Sequence, residues 1–329
     1  EPDAYRNRVT ARISRYPVQS AHPYPTGETP EDAAIAVQVR TIAGELLGIR
    51  QMGQQLVVPS ALRREYTDER WLKLRLSSAR GLAAHHVLSA MRSSTAALLE
   101  HLIGTEAAAK RLDMGPPKVG VTGDAIARMQ ALADVGPPSV LLQCDVPEWI
   151  AEPEAWRQAC RAEQARYEAI LDLAGQLSGA RERAKADLIS RLAAGHERII
   201  AFDHHPITLA AIRPLIQGDS APVLLATGSH VQGKKRVRKA LAAGSTERGI
   251  ALCSDAMNEG LNLQGADVVI HLDLPTTLRV AEQLRVAKRA RLKLSEEEVE
   301  RMTEELSGIL AHVDRISQMD LEGVEPTSH

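Results

Sequence analysis

Two short strings carry the residue types that could do chemistry. Residues 228–235 (GSHVQGKK) follow an apolar run and differ at one position from the phosphate-cradling pattern GxxxxGK[ST]. Lys235 stands where a Ser or Thr hydroxyl would ligate magnesium, and a second ammonium there repels the ion. The string is therefore read as a loop entering a basic helix. Its Lys234, Lys235, Arg236, Arg238 and Lys239 face either nucleic-acid phosphates or solvent. The second string, residues 254–264 (SDAMNEGLNLQ), is polar, contains Gly260 and two Asn, and follows another apolar run. A loop of this kind at the C-terminal end of a buried parallel strand is placed to meet a ligand. His204 and His205 are adjacent, so they point in different directions, and Asp203 is their one nearby carboxylate. They are read as loop residues, and no metal site is expected. Cys144, Cys160 and Cys253 form no CxxC pair, which argues against zinc and against a disulfide framework.

Such loops need strands to hold them. Residues 198–203 (RIIAFD), 222–227 (PVLLAT), 249–254 (GIALCS) and 267–272 (DVVIHL) each fit a buried strand, with helical stretches near 207–216 and 234–243 between the first three. Continuous apolar strands alternating with helices predict an α/β fold, a parallel sheet covered on both faces. Upstream the texture differs. Residues 1–30 hold Pro17, Pro23, Pro25, Pro30 and Gly27 and read as an extended arm or linker. Apolar residues then recur at helical spacing from about 31, in a long stretch from about 60 to 112, and again from about 154 to 194. Pro116, Pro117, Gly120, Gly123, Gly136, Pro137 and Pro138 interrupt them, and the last stretch reads as a separate helical layer or insertion.

The 329 residues are enough for two domains, and 40 basic against 42 acidic residues leave no global pull on nucleic acid. Any such contact must be local. No run approaches 18 apolar residues and the N-terminal stretch lacks a signal peptide's apolar core, so no membrane segment and a cytoplasmic location are expected. The first residue is Glu1 and the last are EPTSH, so both ends are expected to be cuts.

Residues 254–275 closely resemble motif V of the Swi/Snf-type group of superfamily-two helicases, whose pattern runs close to SDAxxEGLNLQxAxxVIxxDLP. Residues 198–209 (RIIAFDHHPITL) resemble motif IV, and 91–99 (MRSSTAALL) look like the helical element between the two lobes of these proteins. The resemblance covers about residues 30–283 and implies a RecA-like second lobe at 196–283, preceded by a mainly helical inter-lobe region at 31–195. It further implies ATP with Mg2+ as cofactor, nucleic acid (DNA foremost) as partner, and a first lobe carrying the Walker lysine and acidic pair. Neither GK[ST] nor a DExH string occurs in the chain, so that lobe is expected to be missing. Carried over residue by residue, Asp255, Asn258, Glu259, Gly260, Asn262 and Gln283 would bind ATP or couple its hydrolysis. Arg285, Lys288 and Arg291 would form a degenerate motif VI: after Glu282-Gln283, Leu284 intrudes, Ala287 replaces a Gly and Lys288 the key Arg. A lysine lacks the planar fork that an arginine presents to a phosphate.

From Leu284 the text changes. Ser295 and Glu298 form a capping box opening a helix with Val299, Met302, Leu306, Ile309, Leu310 and Val313 on one face, and the chain ends GVEPTSH. Residues 284–329 resemble the N-terminal half of the C subunit of the aspartyl/glutamyl-tRNA amidotransferase, which implies that enzyme's catalytic partner protein as a partner here. At the junction, 278–283 (LRVAEQ) is followed at once by the near-repeat 284–289 (LRVAKR). Three readings follow: an incomplete helicase or translocase lobe inactive by itself, a module assisting a tRNA-dependent amidotransferase, or a chimera with no joint function.

Overall fold

The first helix begins where local chemistry dictates. The Thr29 hydroxyl accepts the Asp32 amide and the Asp32 carboxylate accepts the Thr29 amide, with Pro30 at the first helical position. Helix α1 (Pro30–Gly44) then buries Ile35, Val39 and Ala43, one residue per turn. Asp32 also accepts hydrogen bonds from the Ser178 amide and hydroxyl. Burial works against its ionisation, but the Ser178 and Thr29 donors hold its carboxyl below the usual range. The computed structural model describes residues 25–115, 124–217, 221–227, 231–242, 247–254 and 266–273, all within the stretch Pro25–Asp273 of one unit.

The helical stretch expected from about 60 to 112 is broken into α2 (Asp68–Ser93), α3 (Thr95–Ile103) and α4 (Thr105–Arg111). Ser94 causes the first break. Its backbone is extended and its hydroxyl accepts the Ala97 amide, so it ends one helix and caps the next. Gly104, at φ 81°, makes the second. The Gly- and Pro-rich interruption holds a helix that the sequence pattern does not reveal, α5 (Ala125–Val135), capped by Asp124 through the Ala127 amide and ended at Gly136. Two two-residue strands are equally hidden, β1 (Gln55–Leu56) and β2 (Ser139–Val140), which pair in parallel. They are too short to show a period. Helix α6 (Glu148–Ala151) leads into α7 (Pro153–Ala174), and Gly179 at φ 69° separates α7 from α8 (Ala180–Ala193). Val39, Val87, Leu98, Leu102, Met129, Trp156, Tyr167 and Ile170 form the centre of the helical core.

One buried carboxylate organises a bend in this layer. Glu163 of α7 accepts the amides of Leu47, Gly48 and Ile49 at 2.6, 3.1 and 3.0 Å. Gly48 is at φ 74°, which turns the three N–H groups toward a common point, and a Cβ there would lie 2.2 Å from the Ala79 carbonyl of α2. The turn Ile49–Gln51 starts from this nest.

After α8 come β3 (Arg198–Asp203), α9 (Pro206–Ile212), β4 (Val223–Ala226), α10 (Val231–Ala240), β5 (Gly249–Ser254) and β6 (Val268–His271). The four strands pair in parallel in the order β4-β5-β3-β6, as the alternation of strands and helices predicts. The central strands β3 and β5 are almost wholly buried. Ile200 and Phe202 of β3 with Ala251 and Cys253 of β5 face Val237, Ala240 and Leu241 of the α10 segment. The alternate residues, ending in Asp203, face α8 and α9, so helices cover both sides. Asp267 accepts the Arg198 amide and guanidinium at 2.9 and 3.0 Å and ties the start of β6 to β3.

Candidate functional site at the strand ends

The register Asp203↔Ser254 and Ala226↔Cys253 brings the last residues of β3, β5 and β4 into one row. In a parallel sheet that row is the C-terminal edge, where ligands gather. Asp203, Ser254 and Thr227 are all almost fully buried. The hydroxyls of Ser254 and Thr227 have no hydrogen-bond partner among the described residues. A buried hydroxyl without a partner costs free energy, and two neighbouring ones at a ligand-facing edge suit an incoming polar group.

Asp203 is different, because its carboxylate is already well supplied with donors. Its Oδ1 accepts the Ser93 hydroxyl at 3.0 Å and the His205 amide at 2.9 Å, and its Oδ2 accepts Lys185 Nζ at 2.8 Å. Both side chains of the ion pair are at most 2% exposed. Thr208 of α9 lies 3.0 Å from the Ser93 hydroxyl and 2.6 Å from that of Ser94. The Thr95 amide donates to Glu182 of α8 at 2.5 Å. The α2–α3 break is thus bonded to α8, the end of β3 and the start of α9. This network anchors the edge, with Asp203 at its centre.

Among the sequence-predicted residues, Lys234, Lys235, Arg236 and Arg238 lie on α10, and Gly233 sits inside its first turn. Val237, Ala240 and Leu241 form the buried face, with Gly233 on the same side. Lys235, Arg236, Arg238 and Lys239 are exposed or nearly so, and Lys234 is half-buried. Lys239 pairs with Glu247 at 2.9 Å, whereas Lys234, Lys235 and Arg236 make no ion pair among the described residues. The segment is a basic helix, as its spacing predicts. Asp255, Asn258, Glu259, Gly260 and Asn262 fall outside the described residues, as do Gln283, Arg285, Lys288, Arg291 and the capping-box helix of the tail. Ser254 is the point from which the 255–264 string departs.

Lys185 carries no signal in the sequence, and Ser93, Ser94 and Thr208 lie within the quoted strings 91–99 and 198–209 without an individual role until the fold brings them to Asp203. Thr227 has a weak signal, as the polar end of an apolar strand. Among the described residues, no group of three His, Cys, Asp or Glu side chains is placed to hold a metal ion, and no helix is long and apolar enough to cross a membrane.

Comparison with known proteins adds two separate matches. Residues 185–291 match the family described as helicase conserved C-terminal domain, and 294–329 match that of the Glu-tRNAGln amidotransferase C subunit. Curated relatives align with the tail. The C subunit of the aspartyl/glutamyl-tRNA(Asn/Gln) amidotransferase from Caldanaerobacter subterraneus subsp. tengcongensis is 54% identical over 44 residues, 13% of this chain and 46% of the relative. The C subunit of the glutamyl-tRNA(Gln) amidotransferase from Rhizobium meliloti is 57% identical over 42 residues, 13% of this chain and 44% of the relative. The chain therefore spans about half the length of the curated relatives it matches. Among solved structures, the Hef helicase domain of Pyrococcus furiosus aligns with 84% of this chain and 54% of its own, at 16% identity and TM-score 0.39. The C-terminal part of the Fun30 ATPase domain aligns with 89% of this chain and 90% of its own, at 15% identity and TM-score 0.36. One chain thus carries two unlike segments, a parallel α/β portion similar to the helicase conserved C-terminal domain and a tail similar to the amidotransferase C subunit.

Proposed function

We propose that the helicase-like segment is the second ATPase lobe of a nucleic-acid-dependent helicase or translocase of Swi/Snf type, which turns over ATP only when a Walker-containing first lobe is supplied. The observation that carries this reading is the pair of hydroxyls, Thr227 and Ser254, without a hydrogen-bond partner among the described residues, at the C-terminal edge of a parallel sheet within the stretch matching the helicase domain. In this reading Lys234, Lys235, Arg236 and Arg238 hold the phosphates of a nucleic acid, DNA foremost. Asp255, Asn258, Glu259, Gly260, Asn262 and Gln283 sense the nucleotide, and Arg285, Lys288 and Arg291 face its terminal phosphate. ATP with Mg2+ supplies the transferable phosphoryl group. The transfer depends on positioned positive charge around that group, to which this chain contributes only the degenerate set. Three cysteines without a disulfide among them suit a reducing cytoplasm.

Phosphate release with and without DNA or RNA tests the reading. The chain alone should release none above background. Stimulated turnover abolished by Lys234→Ala would place a working phosphate clamp in this chain and overturn it. Neutralising Lys235 and Arg236 together should weaken DNA binding across all sequences and lower the salt slope by about two units.

A second reading rests on the tail. The identity of 54% over 44 residues to an amidotransferase C subunit favours a module that docks on the catalytic protein of the amidotransferase. Hydrogen exchange over residues 299–315 that slows on adding that protein supports it, and exchange unchanged by the addition refutes it.

A further inference from the structure

Away from the strand ends, the link between α7 and α8 meets the start of α1 and the α2–α3 break around one small cavity. Glu28, Asp32, Thr95, Gly179, Arg181 and Glu182 line it, and its volume is about 20 Å³. That is room for a single water-sized guest, since one water needs about 10–15 Å³. Glu182 is 7% exposed. Its Oε1 accepts the Thr95 amide at 2.5 Å, while its Oε2 is buried without a hydrogen-bond partner among the described residues. A Cβ at Gly179 would lie 3.9 Å from that Oε2, so the missing side chain leaves space beside the oxygen.

The other charges around the cavity are engaged. Asp32 Oδ1 accepts the Ser178 amide, and Oδ2 accepts the Ser178 hydroxyl and the Thr29 amide. The Arg181 guanidinium donates to Glu28 and to the Met91 carbonyl, and the next arginine of α8, Arg183, donates to the Ser178 carbonyl. Among the lining groups, three carboxylates stand against one guanidinium.

A buried carboxylate oxygen with neither donor nor counter-charge is costly, and a cation relieves both wants at once. A water would supply a donor but leave the excess negative charge. Magnesium keeps its own waters and calcium takes six or more oxygens, so one open carboxylate oxygen in so small a space suits neither. We propose that this cavity is a monovalent-cation site that takes potassium on Glu182 Oε2. The ion would hold Glu182 against the Thr95 amide, and with it the α2–α3 break, whose Ser94 hydroxyl lies 2.6 Å from that of Thr208. The site depends neither on the reading of the strand ends nor on that of the tail.

The experiment uses the full chain. Melting is compared in potassium chloride and choline chloride at equal ionic strength, because choline is too large for the cavity. Potassium should raise the melting temperature of the wild type by roughly 3–6 °C, the shift for an ion present at about ten times its dissociation constant. Glu182→Gln keeps an acceptor for the Thr95 amide and removes the charge, so the potassium-dependent shift should vanish. Crystals of the wild type soaked in rubidium chloride should show an anomalous scattering peak within bonding distance of Glu182 Oε2. The proposal is overturned if potassium and choline give the wild type the same melting temperature, which would leave the cavity to water. It is equally overturned if Glu182→Gln responds as the wild type does, or if the rubidium peak is absent. Should Glu182→Gln fail to fold, the rubidium peak decides by itself.

Discussion

Replacing Lys185 with Met is the most direct test of how the sheet edge is held. The substitution keeps much of the stem volume and removes the ammonium 2.8 Å from Asp203 Oδ2. The carboxylate, fully buried, would keep the Ser93 hydroxyl and the His205 amide as donors but lose its counter-charge. Breaking a buried pair from one side costs roughly 3–5 kcal/mol, mostly the penalty of the charge left behind. With a urea dependence of about 3 kcal/mol per molar, the unfolding midpoint should fall by roughly 1–1.7 M. The double variant Lys185→Met, Asp203→Leu removes both charges, so its loss should be clearly smaller than the sum of the two single losses. Urea denaturation followed by circular dichroism supplies all four corners of the cycle. A Lys185→Met loss below about 1 kcal/mol, or additive losses in the double variant, would show that the pair is solvated in practice and refute the reasoning.

Three further outcomes follow from the helical layer. Gly48→Ala should cost roughly 2–4 kcal/mol by the same denaturation assay, because the new Cβ needs a left-handed backbone and lies 2.2 Å from the Ala79 carbonyl. Glu163→Gln leaves one oxygen for three amides and should cost about 1–3 kcal/mol, with faster hydrogen exchange at Leu47, Gly48 and Ile49. His101, lowered to about 3 from an ordinary value near 6.5, stays neutral in the folded chain while the unfolded chain takes up a proton. Its contribution is therefore complete above pH 6.5 and is lost as pH falls toward 3. Between pH 7 and pH 5 the wild type should lose about 2 kcal/mol more than His101→Gln, and parallel pH profiles would rule this out.

The sheet is legible in the sequence because each of its strands is a continuous apolar run, and β3 and β5 begin and end where those runs do. Burial on both faces writes that pattern directly into residue type. The helical layer is legible only in outline. The Ser93-Ser94-Thr95 string permits a helix to continue, and it breaks because the Ser94 hydroxyl is drawn to the Ala97 amide and to Thr208, more than a hundred residues away. Helix α5 is hidden because the Gly and Pro residues on either side of it dominate a reading by composition. The basic face of α10 is visible from spacing alone, since Val237 and Leu241 mark one side and the cations the other. The polar anchor is not legible as a unit: several of its members lie in the quoted strings 91–99 and 198–209, but they are separated by up to 115 positions and only the fold makes them neighbours.

That anchor bears on where the folding unit lies. The match to the helicase domain begins at residue 185, which is the lysine that neutralises Asp203. A chain cut at that boundary would keep the ion pair and lose Ser93, Ser94 and the first turn of α8. Asp203 would then lack the Ser93 hydroxyl, Thr208 would lose both serine partners, and Ile207 would lose the helical core into which it packs. Each loss falls on a buried group, where an unmade hydrogen bond costs most. The sequence family and the physical unit therefore differ in extent. The segment that carries the helicase likeness is completed by helices α2 and α3, which lie outside the match, and the strand ends are held in part by residues that the match does not contain, Ser93 and Ser94.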